Sequence, residues 1–549
     1  MFMPQLNNDN NGNRAGLLLA VMAFFVYSSS LWNGFVWDDA VVILANIPRI
    51  TNPLDILSSI DSGRSVDVAP YYRPLTQMSF YLEYRLHGLN PFLVRFFSLL
   101  LHSCNTFLVY RVALTIHGWR RAAIFTSLLF AIHPIHAEAV DFNSARSTLL
   151  VTLFSLLALL LHRKAVENNM FSFALAGALA AMAGFLSKET GLGVIPFIAA
   201  IELSQWRNDS FVKRNSIVRM LPYIAVTLLY WVLRNKALAA VDVKLEIFPG
   251  ILSRMQYNAY IIPKYLFSLI WPVNLSPFYL IPEELQPIAL RLCLFWGIIV
   301  FALWWLIKHS GRATVCFGLA WLLMFWLPAS GVVDIPSSPV ADRYFYMPVI
   351  GLWLLAGWHL AQFLSAETGG QKFRHIVVIA LFICLAGLTL RQNGYWKNGV
   401  TVFSRVLQFA PESVYAYHNL GCAYLEEQKN LPLAEKAFMK ALLLDPTFPR
   451  LQDELGKIRM LQGDKYGALQ YYGEAIRQNP LDAEAHLNSA ILLEKLSRFE
   501  DAIVEYQRFY ACPGCELDGA RAGLVNKVAE LAGLIEKRDS ISKSKHLFR

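Results

Sequence analysis

Five short polar clusters interrupt a strongly apolar chain: Asp38-Asp39 in F-V-W-D-D, Tyr72-Arg73-Pro74 with Arg85 and His87, H-P-I-H-A-E from His133 to Glu138, S-K-E-T from Ser187 to Thr190, and A-D-R-Y from Ala341 to Tyr344. Adjacent carboxylates such as Asp38 and Asp39 can act as a general base, as metal ligands, or as a solvated loop. Transfer to a hydroxyl acceptor needs one carboxylate to take the acceptor's proton as it attacks. If phosphate is the leaving group, fixed cations must meet it, and Arg suits this because its guanidinium binds phosphate through two donors, with Lys as a point charge. Arg73, Arg85, Arg146, Lys188 and Arg343 are the candidate cations, and His136, Glu138, Glu189 and Tyr344 lie in the same clusters. We favour Asp39 slightly over Asp38 as the base, for its proximity to the loop.

The same residues have plainer readings. His133 and His136 with Glu138 offer metal-ligand chemistry, but i and i+3 on a helix supply only part of a site and a third ligand must come from elsewhere. No cofactor is firmly implied, and a divalent metal stays open. Lys188-Glu189 also reads as a neutralising ion pair. Cys512 and Cys515 form C-P-G-C, which reads as a local disulfide, as half of a metal site, or as nothing, with no second pair to complete a zinc set.

The elements that must position these clusters are membrane helices. The chain has 549 residues, 55% of them hydrophobic and 16% charged, with mean hydropathy +0.39, which excludes an ordinary soluble protein. The net charge of +9 is dispersed in short loops rather than gathered on a basic face, so nucleic acid is not the partner. Apolar stretches beginning near Ala15, Leu93, Ala122, Thr148, Phe171, Gly191, Met220, Ala289, Thr314, Tyr346 and His375 give about eleven candidate spans. Some are shorter than the ~20 residues that a perpendicular helix needs. The first has no small-residue cleavage site behind it and reads as a retained span.

Lys and Arg in short loops mark the cytoplasmic side. Arg120 and Arg121, Arg163 and Lys164, Arg207 with Lys213, Arg214 and Arg219, Lys308 with Arg312, and Lys372 with Arg374 occupy alternate loops. This holds if Tyr257 to Trp271, which contains Pro263, is a re-entrant or interfacial helix rather than a full span. All five polar clusters then fall on the outer face, and the segment after the last span does too.

Beyond Trp396 the period changes. Pro446 and Pro480, then Ala434, Ala468 and Ala502, then Phe438, Tyr472 and Tyr506 each recur every 34 residues, which is the tetratricopeptide period. Leu420, Gly421 and Tyr424 fit one first helix and Leu455 and Gly456 the next; Ala490 replaces glycine in the third. A one-residue insertion is needed near Asn430, and Leu517 to Lys537 reads as a capping helix. The expected organisation is a membrane domain over 1–392, a repeat domain over 393–538 and a polar tail over 539–549.

In order along the chain, F-V-W-D-D-A-V-V-I, Y-Y-R-P-L-T, L-H-G-L-N-P-F, H-P-I-H-A-E-A-V, S-K-E-T-G, W-P-V-N-L-S and A-D-R-Y-F-Y-M-P-V-I-G, followed by the repeats, resemble the transmembrane and tetratricopeptide repeat (TMTC) family. These are protein O-mannosyltransferases of the GT-C glycosyltransferase superfamily. The resemblance covers nearly the whole chain and implies an all-α, GT-C-like polytopic helical bundle followed by an α-solenoid. It also implies a polyprenyl- or dolichyl-phosphate sugar donor, an inverting transfer, and Asp38 and Asp39 near the catalytic centre, with Arg73, Lys188 and Arg343 suited to the lipid phosphate. The acceptor would be a polypeptide, which the repeats could hold. The host would be the bacterial inner membrane or the endoplasmic reticulum, with the repeats periplasmic or lumenal.

Two other classes compete. A transporter of a lipid-linked substrate predicts repeated spans and charges near the bilayer midplane, whereas here the charges gather at one face. A non-catalytic scaffold, with the acidic pair structural, is separated from a transferase by whether substitution of Asp38 or Asp39 abolishes transfer.

Overall fold

The computed structural model describes residues 10–58, 71–205, 210–239, 251–279, 308, 312–327, 340–366, 370–448, 450–512 and 526–537. Among these residues every regular element is helical. The chain separates into two units, Met1–Phe409 and Ala410–Arg549.

The first unit contains α1 (Asn10–Tyr27), α2 (Pro74–His87), α3 (Pro91–His117), α4 (Arg120–Ile132), α5 (Ala137–Asp141), α6 (Arg146–Asn168), α7 (Phe171–Ser187), α8 (Val194–Gln205) and α9 (Ser210–Leu238). It continues with α10 (Ile251–Ile270), α11 (Arg312–Trp326), α12 (Ile350–Ser365), α13 (Gln371–Tyr395) and α14 (Gly399–Phe409). Each apolar stretch read from the sequence coincides with one of these helices, except the one at Ala289, which lies outside the described residues. Helices carrying Asn13–Trp32, Pro91–His117, Asn143–Asn168, Arg214–Leu238 and Gln371–Tyr395 are long and apolar enough to cross a bilayer, and α7, α11 and α12 are shorter apolar helices. Leu17, Leu18, Val21 and Phe25 on α1, and Phe373, Ile376, Ile379 and Ile383 on α13, are exposed. Such apolar surface is unfavourable in water and ordinary against lipid, where a helix satisfies its own backbone. The chain is an integral membrane protein. The Pro263 segment is part of one 20-residue helix, α10.

Close backbone approach fixes some of the packing. A Cβ at Gly351 on α12 would lie only 2.1 Å from the Gly318 carbonyl oxygen on α11, so this crossing needs glycine.

The element that matters most to the site is an elbow between α4 and α6. Pro134 disfavours helix at the residue before it, and His133 is extended (φ −75°, ψ 132°). The chain bends by 52° between Arg120–Ile132 and Pro134–Asp141, passes through α5 and a 3-10 turn at Asn143–Ala145, and enters α6. Helices α6 and α7 form an antiparallel hairpin, so Thr148 near the start of α6 meets Lys188 just past α7. At the other end of the unit, Asn169 behind α6 meets Arg219 of α9.

The expected boundary near 393 falls at the end of α13, and α14 groups with the membrane unit. Arg405 of α14 donates to the carbonyls of Leu275 (3.2 Å) and Val273 (2.9 Å) in W-P-V-N-L-S, and its guanidinium lies over Tyr395 at 4.3 Å.

The second unit has three helix pairs: α15 (Val414–Glu426) with α16 (Leu431–Leu444), α17 (Leu451–Leu461) with α18 (Lys465–Gln478), and α19 (Ala483–Lys495) with α20 (Phe499–Ala511). A further helix covers 526–537, within the expected cap. Ala434, Ala468 and Ala502 are fully buried, as are Phe438 and Tyr472, with Tyr506 nearly so. Each such aromatic contributes roughly 1.5–3 kcal/mol through burial. A Cβ at Gly421 or Gly456 would lie 2.5 Å from the Phe438 or Tyr472 ring, which explains the glycine there. Left-handed residues recur at Lys429, Gly463 and Ser497, each turning a first helix into its second. The extra residue of the first repeat therefore lies between Gly421 and Lys429, close to the expected place. Cys515 and the tail over 539–549 lie outside the described residues, so the C-P-G-C pairing and the tail are not described.

Candidate active site

Asp38 and Asp39 sit in a turn behind α1, with Trp37 in the left-handed region (φ 55°). The Asp38 carbonyl accepts from Val42 N at 2.8 Å and starts the short helix Ala40–Ala45. The two carboxylates have different surroundings. Asp39 is fully buried and accepts from Ser144 Oγ (2.6 Å), Ser144 N (2.8 Å), Asn143 Nδ2 (3.0 Å) and Val36 N (3.2 Å). Burial pushes its carboxyl up, opposed by Ser144, Arg95 and Asn143. Asp38 is partly exposed and lies close enough to Arg343 to act on its charge.

Arg343 belongs to the A-D-R-Y turn before α12. Its backbone N–H donates to Glu138 Oε2 at 3.0 Å, and its guanidinium donates to Glu138 Oε1. Three rings surround the guanidinium: Tyr344 at 5.0 Å, with Trp37 and Phe142 each at 5.7 Å. Trp37 stacks on Phe142 at 5.3 Å and Phe142 on Trp396 at 5.5 Å, while Phe403 of α14 meets Trp37 edge-on at 6.0 Å. Asp342 is buried and accepts from the Tyr279 hydroxyl at 3.1 Å. Burial and the nearby Glu138 hold its carboxyl well above the usual range.

Lys188 is buried, and its Nζ donates to the Thr148 hydroxyl at 2.9 Å, with the Tyr344 ring 5.4 Å away. Burial first, then the positive charges of Arg73 and Arg343, lower its ammonium to about 7. The neighbouring Glu189 does not bridge to Lys188. It takes Arg73 through two bonds, Nη2 to Oε1 at 2.7 Å and Nε to Oε2 at 3.1 Å. Burial would raise Glu189, but Arg73 outweighs it and the carboxyl falls to about 2. Arg73 also lies over Tyr71 at 3.9 Å, and Thr76 of α2 donates to the Ser187 carbonyl at 3.0 Å, fixing α2 to the end of α7.

This end of the bundle thus gathers a partly exposed carboxylate, a saturated one beside it, and three cations under aromatic rings. Residues 73–231 match the family described as dolichyl-phosphate-mannose-protein mannosyltransferase, and residues 414–448 and 454–514 match tetratricopeptide repeat families. The chain is 30% identical over 465 residues to the Caenorhabditis elegans protein O-mannosyl-transferase F38B6.6, covering 81% of this chain and 65% of that protein. It is 26% identical to human protein O-mannosyl-transferase TMTC3 (76% of this chain, 50% of the relative) and 26% identical to human TMTC4 (74% and 63%).

The chain is TMTC-like. It spans about half to two-thirds of the length of these relatives.

The remaining sequence candidates of this TMTC-like chain have other surroundings. Arg146 is fully buried, donating to Glu83 Oε1 at 2.5 Å and to the Val94 carbonyl at 2.7 Å, and so joins α2, α3 and α6. Arg85 is exposed on α2, with the Tyr81 hydroxyl 3.2 Å away. His136 is buried and accepts from Trp353 Nε1 at 3.2 Å. His133 uses Nδ1 for the Ile135 N–H, with Nε2 3.0 Å from the Leu269 carbonyl. Since Glu138 is engaged by Arg343, these two histidines and the carboxylate turn to different partners and do not converge on a metal.

Sequence reasoning passed over Asn143, Ser144 and Arg95. Fully buried Arg95 donates to the Asn33 carbonyl at 2.9 Å and to the Asp141 and Gly34 carbonyls, bracing the turn that carries Asp39. The run F-N-S-A-R behind H-P-I-H-A-E-A-V-D was the available signal, because polar residues at the mouth of a span need partners.

Proposed function

We propose that this chain is a GT-C-type glycosyltransferase that moves a sugar from a polyprenyl-phosphate donor to a hydroxyl on a protein. Mannose is the sugar, by similarity to relatives named protein O-mannosyl-transferases. The observation that carries the reading is Lys188: a buried ammonium whose hydrogen bond goes to a hydroxyl rather than a carboxylate, beside Arg343 and Arg73. Glu189 and Glu138 act on its charge without bonding to it, and a lipid-linked phosphate in direct contact offsets the cost of the buried charge.

Asp38 is the general base and Asp39 the residue that orients it. Asp39 is occupied by four donors, whereas Asp38 lies on the exposed side of the turn. Asp38 takes the proton of the acceptor hydroxyl as its oxygen bonds to the anomeric carbon. The bond from that carbon to the phosphate oxygen breaks, and the lipid phosphate leaves toward Lys188, Arg73 and Arg343, where fixed cations stabilise the developing charge. Glu138 aligns Arg343, and the rings of Trp37, Phe142 and Tyr344 narrow the site.

The active site and the repeats occupy the periplasm or lumen, and the repeats hold the acceptor polypeptide. Helix α13 starts at the Lys372 and Arg374 end and finishes near the site, where Asn33 Nδ2 donates to the Asn393 carbonyl at 3.0 Å. A cysteine introduced near Lys465 should react with an impermeant reagent in right-side-out spheroplasts before permeabilisation; reaction only afterwards reverses the topology.

The activity is tested with purified full-length chain, polyprenyl-phosphate mannose and a protein acceptor. Asp38→Asn should lower turnover by about 10²-fold or more, as expected for a lost base, with the fold and donor binding kept. Normal turnover in both Asp38→Asn and Asp39→Asn returns the chain to the scaffold reading.

A further inference from the structure

Among the described residues outside the membrane unit, a cluster of side chains has unused ligand chemistry. His418 and Cys422 lie at i and i+4 on α15, a spacing that puts two side chains on one helix face, and Glu454 comes from α17 of the next repeat. His418 Nε2 is 3.9 Å from Cys422 Sγ, and ligand atoms of the three residues all lie within 4.8 Å of one another. A tetrahedral zinc ion, with bonds of about 2.3 Å to sulfur and 2.0 Å to nitrogen, holds such atoms about 3.5 Å apart. The required adjustment is therefore small.

We propose that His418, Cys422 and Glu454 form a binding site for a divalent transition-metal ion of the zinc class, with a fourth position left for water or a partner's side chain. Thiolate, imidazole and carboxylate together suit Zn²⁺ and Co²⁺ rather than Ca²⁺ or Mg²⁺. All three residues are partly exposed, so an ion can reach them. His418 is held in place by the rings of Phe438 at 5.8 Å and Phe448 at 5.6 Å. Lys457 Nζ now contacts Glu454 (3.1 Å), Asp453 (2.8 Å) and Glu484 (2.6 Å). When the ion takes Glu454, Lys457 keeps the other two carboxylates.

The site does not depend on the transfer activity.

The test uses metal-stripped, full-length chain in detergent, titrated with Co²⁺. One equivalent should bind with a thiolate-to-cobalt charge-transfer absorption that Zn²⁺ then displaces. Cys422→Ser should abolish the absorption, and Glu454→Gln should weaken binding about tenfold or more while circular dichroism stays unchanged. No thiolate absorption in the wild type, or absorption that persists in Cys422→Ser, overturns the assignment.

Discussion

The two ends of the membrane unit use the same residue types for different purposes. At the end away from the site, Arg219 spans Glu202 with Nε to Oε1 at 2.7 Å and Nη2 to Oε2 at 2.8 Å, His162 Nε2 lies 3.1 Å from the same carboxylate, and Asn169 takes a further donor. The Arg219 guanidinium is engaged by one carboxylate and an amide, and α6, α8 and α9 are tied together. At the site end, Arg343 has its Glu138 and Arg73 its Glu189, whereas among the described residues Lys188 donates to the Thr148 hydroxyl, with Glu189 and Glu138 acting on its charge without bonding to it. The Glu202 cluster ties three helices together, whereas the Lys188 ammonium keeps its hydrogen bond on a neutral hydroxyl.

The contrast is broken most directly by unbalancing the closed pair. Arg219→Met leaves Glu202 buried without its counter-charge and should cost about 3–5 kcal/mol, read as a large fall in thermal unfolding temperature, while protein that stays folded binds donor normally. A specific loss of donor binding without loss of stability would mean that the far end also handles substrate.

At the site end, Glu138→Gln keeps the shape but removes the charge that aligns Arg343. Turnover should fall by about 10- to 100-fold, the scale of a supporting contact, with less effect on unfolding than Arg219→Met. An equal loss of stability would make Glu138 architectural.

Acidity sharpens the comparison further. Lys188 is charged below about 7 and neutral above it, so kcat/KM for the donor should decline as pH rises through about 7. The protonated form binds phosphate, and Lys188→Arg, which stays charged, should flatten that limb. A profile unchanged by Lys188→Arg assigns the titration to another group. The smallest effect belongs to Arg85→Ala: its side chain is exposed on α2, and stability should move by less than about 0.5 kcal/mol, with donor KM unchanged.

How much of this was legible in the sequence depended on range. The repeats were readable because each unit repeats its own packing: Phe438 against Gly421 and Tyr472 against Gly456 print a 34-residue period directly. The gathering of the polar clusters was readable from loop charges. The different surroundings of Asp38 and Asp39 were not, because adjacent residues share every local signal and differ only in what the fold brings to them. Asn143 and Ser144, more than 100 positions away, reach Asp39 through the elbow at Pro134. Lys188 and Glu189 looked like a pair for the same reason. Arg73, 116 positions from Glu189, takes the bonds of that carboxylate, while the charges of Lys188 and Glu189 still act on each other.

The most direct test of the account is Lys188→Met, followed by two measurements on one purified protein: equilibrium binding of polyprenyl phosphate and thermal unfolding without it. Replacing a buried ammonium whose hydrogen bond goes to a hydroxyl with an apolar side chain of similar length should leave the unfolding temperature unchanged or raised, while phosphate affinity falls about tenfold or more. Wild-type affinity in that variant, or a loss of affinity that merely follows a loss of fold, would contradict the claim that this end of the bundle is built to receive the lipid phosphate.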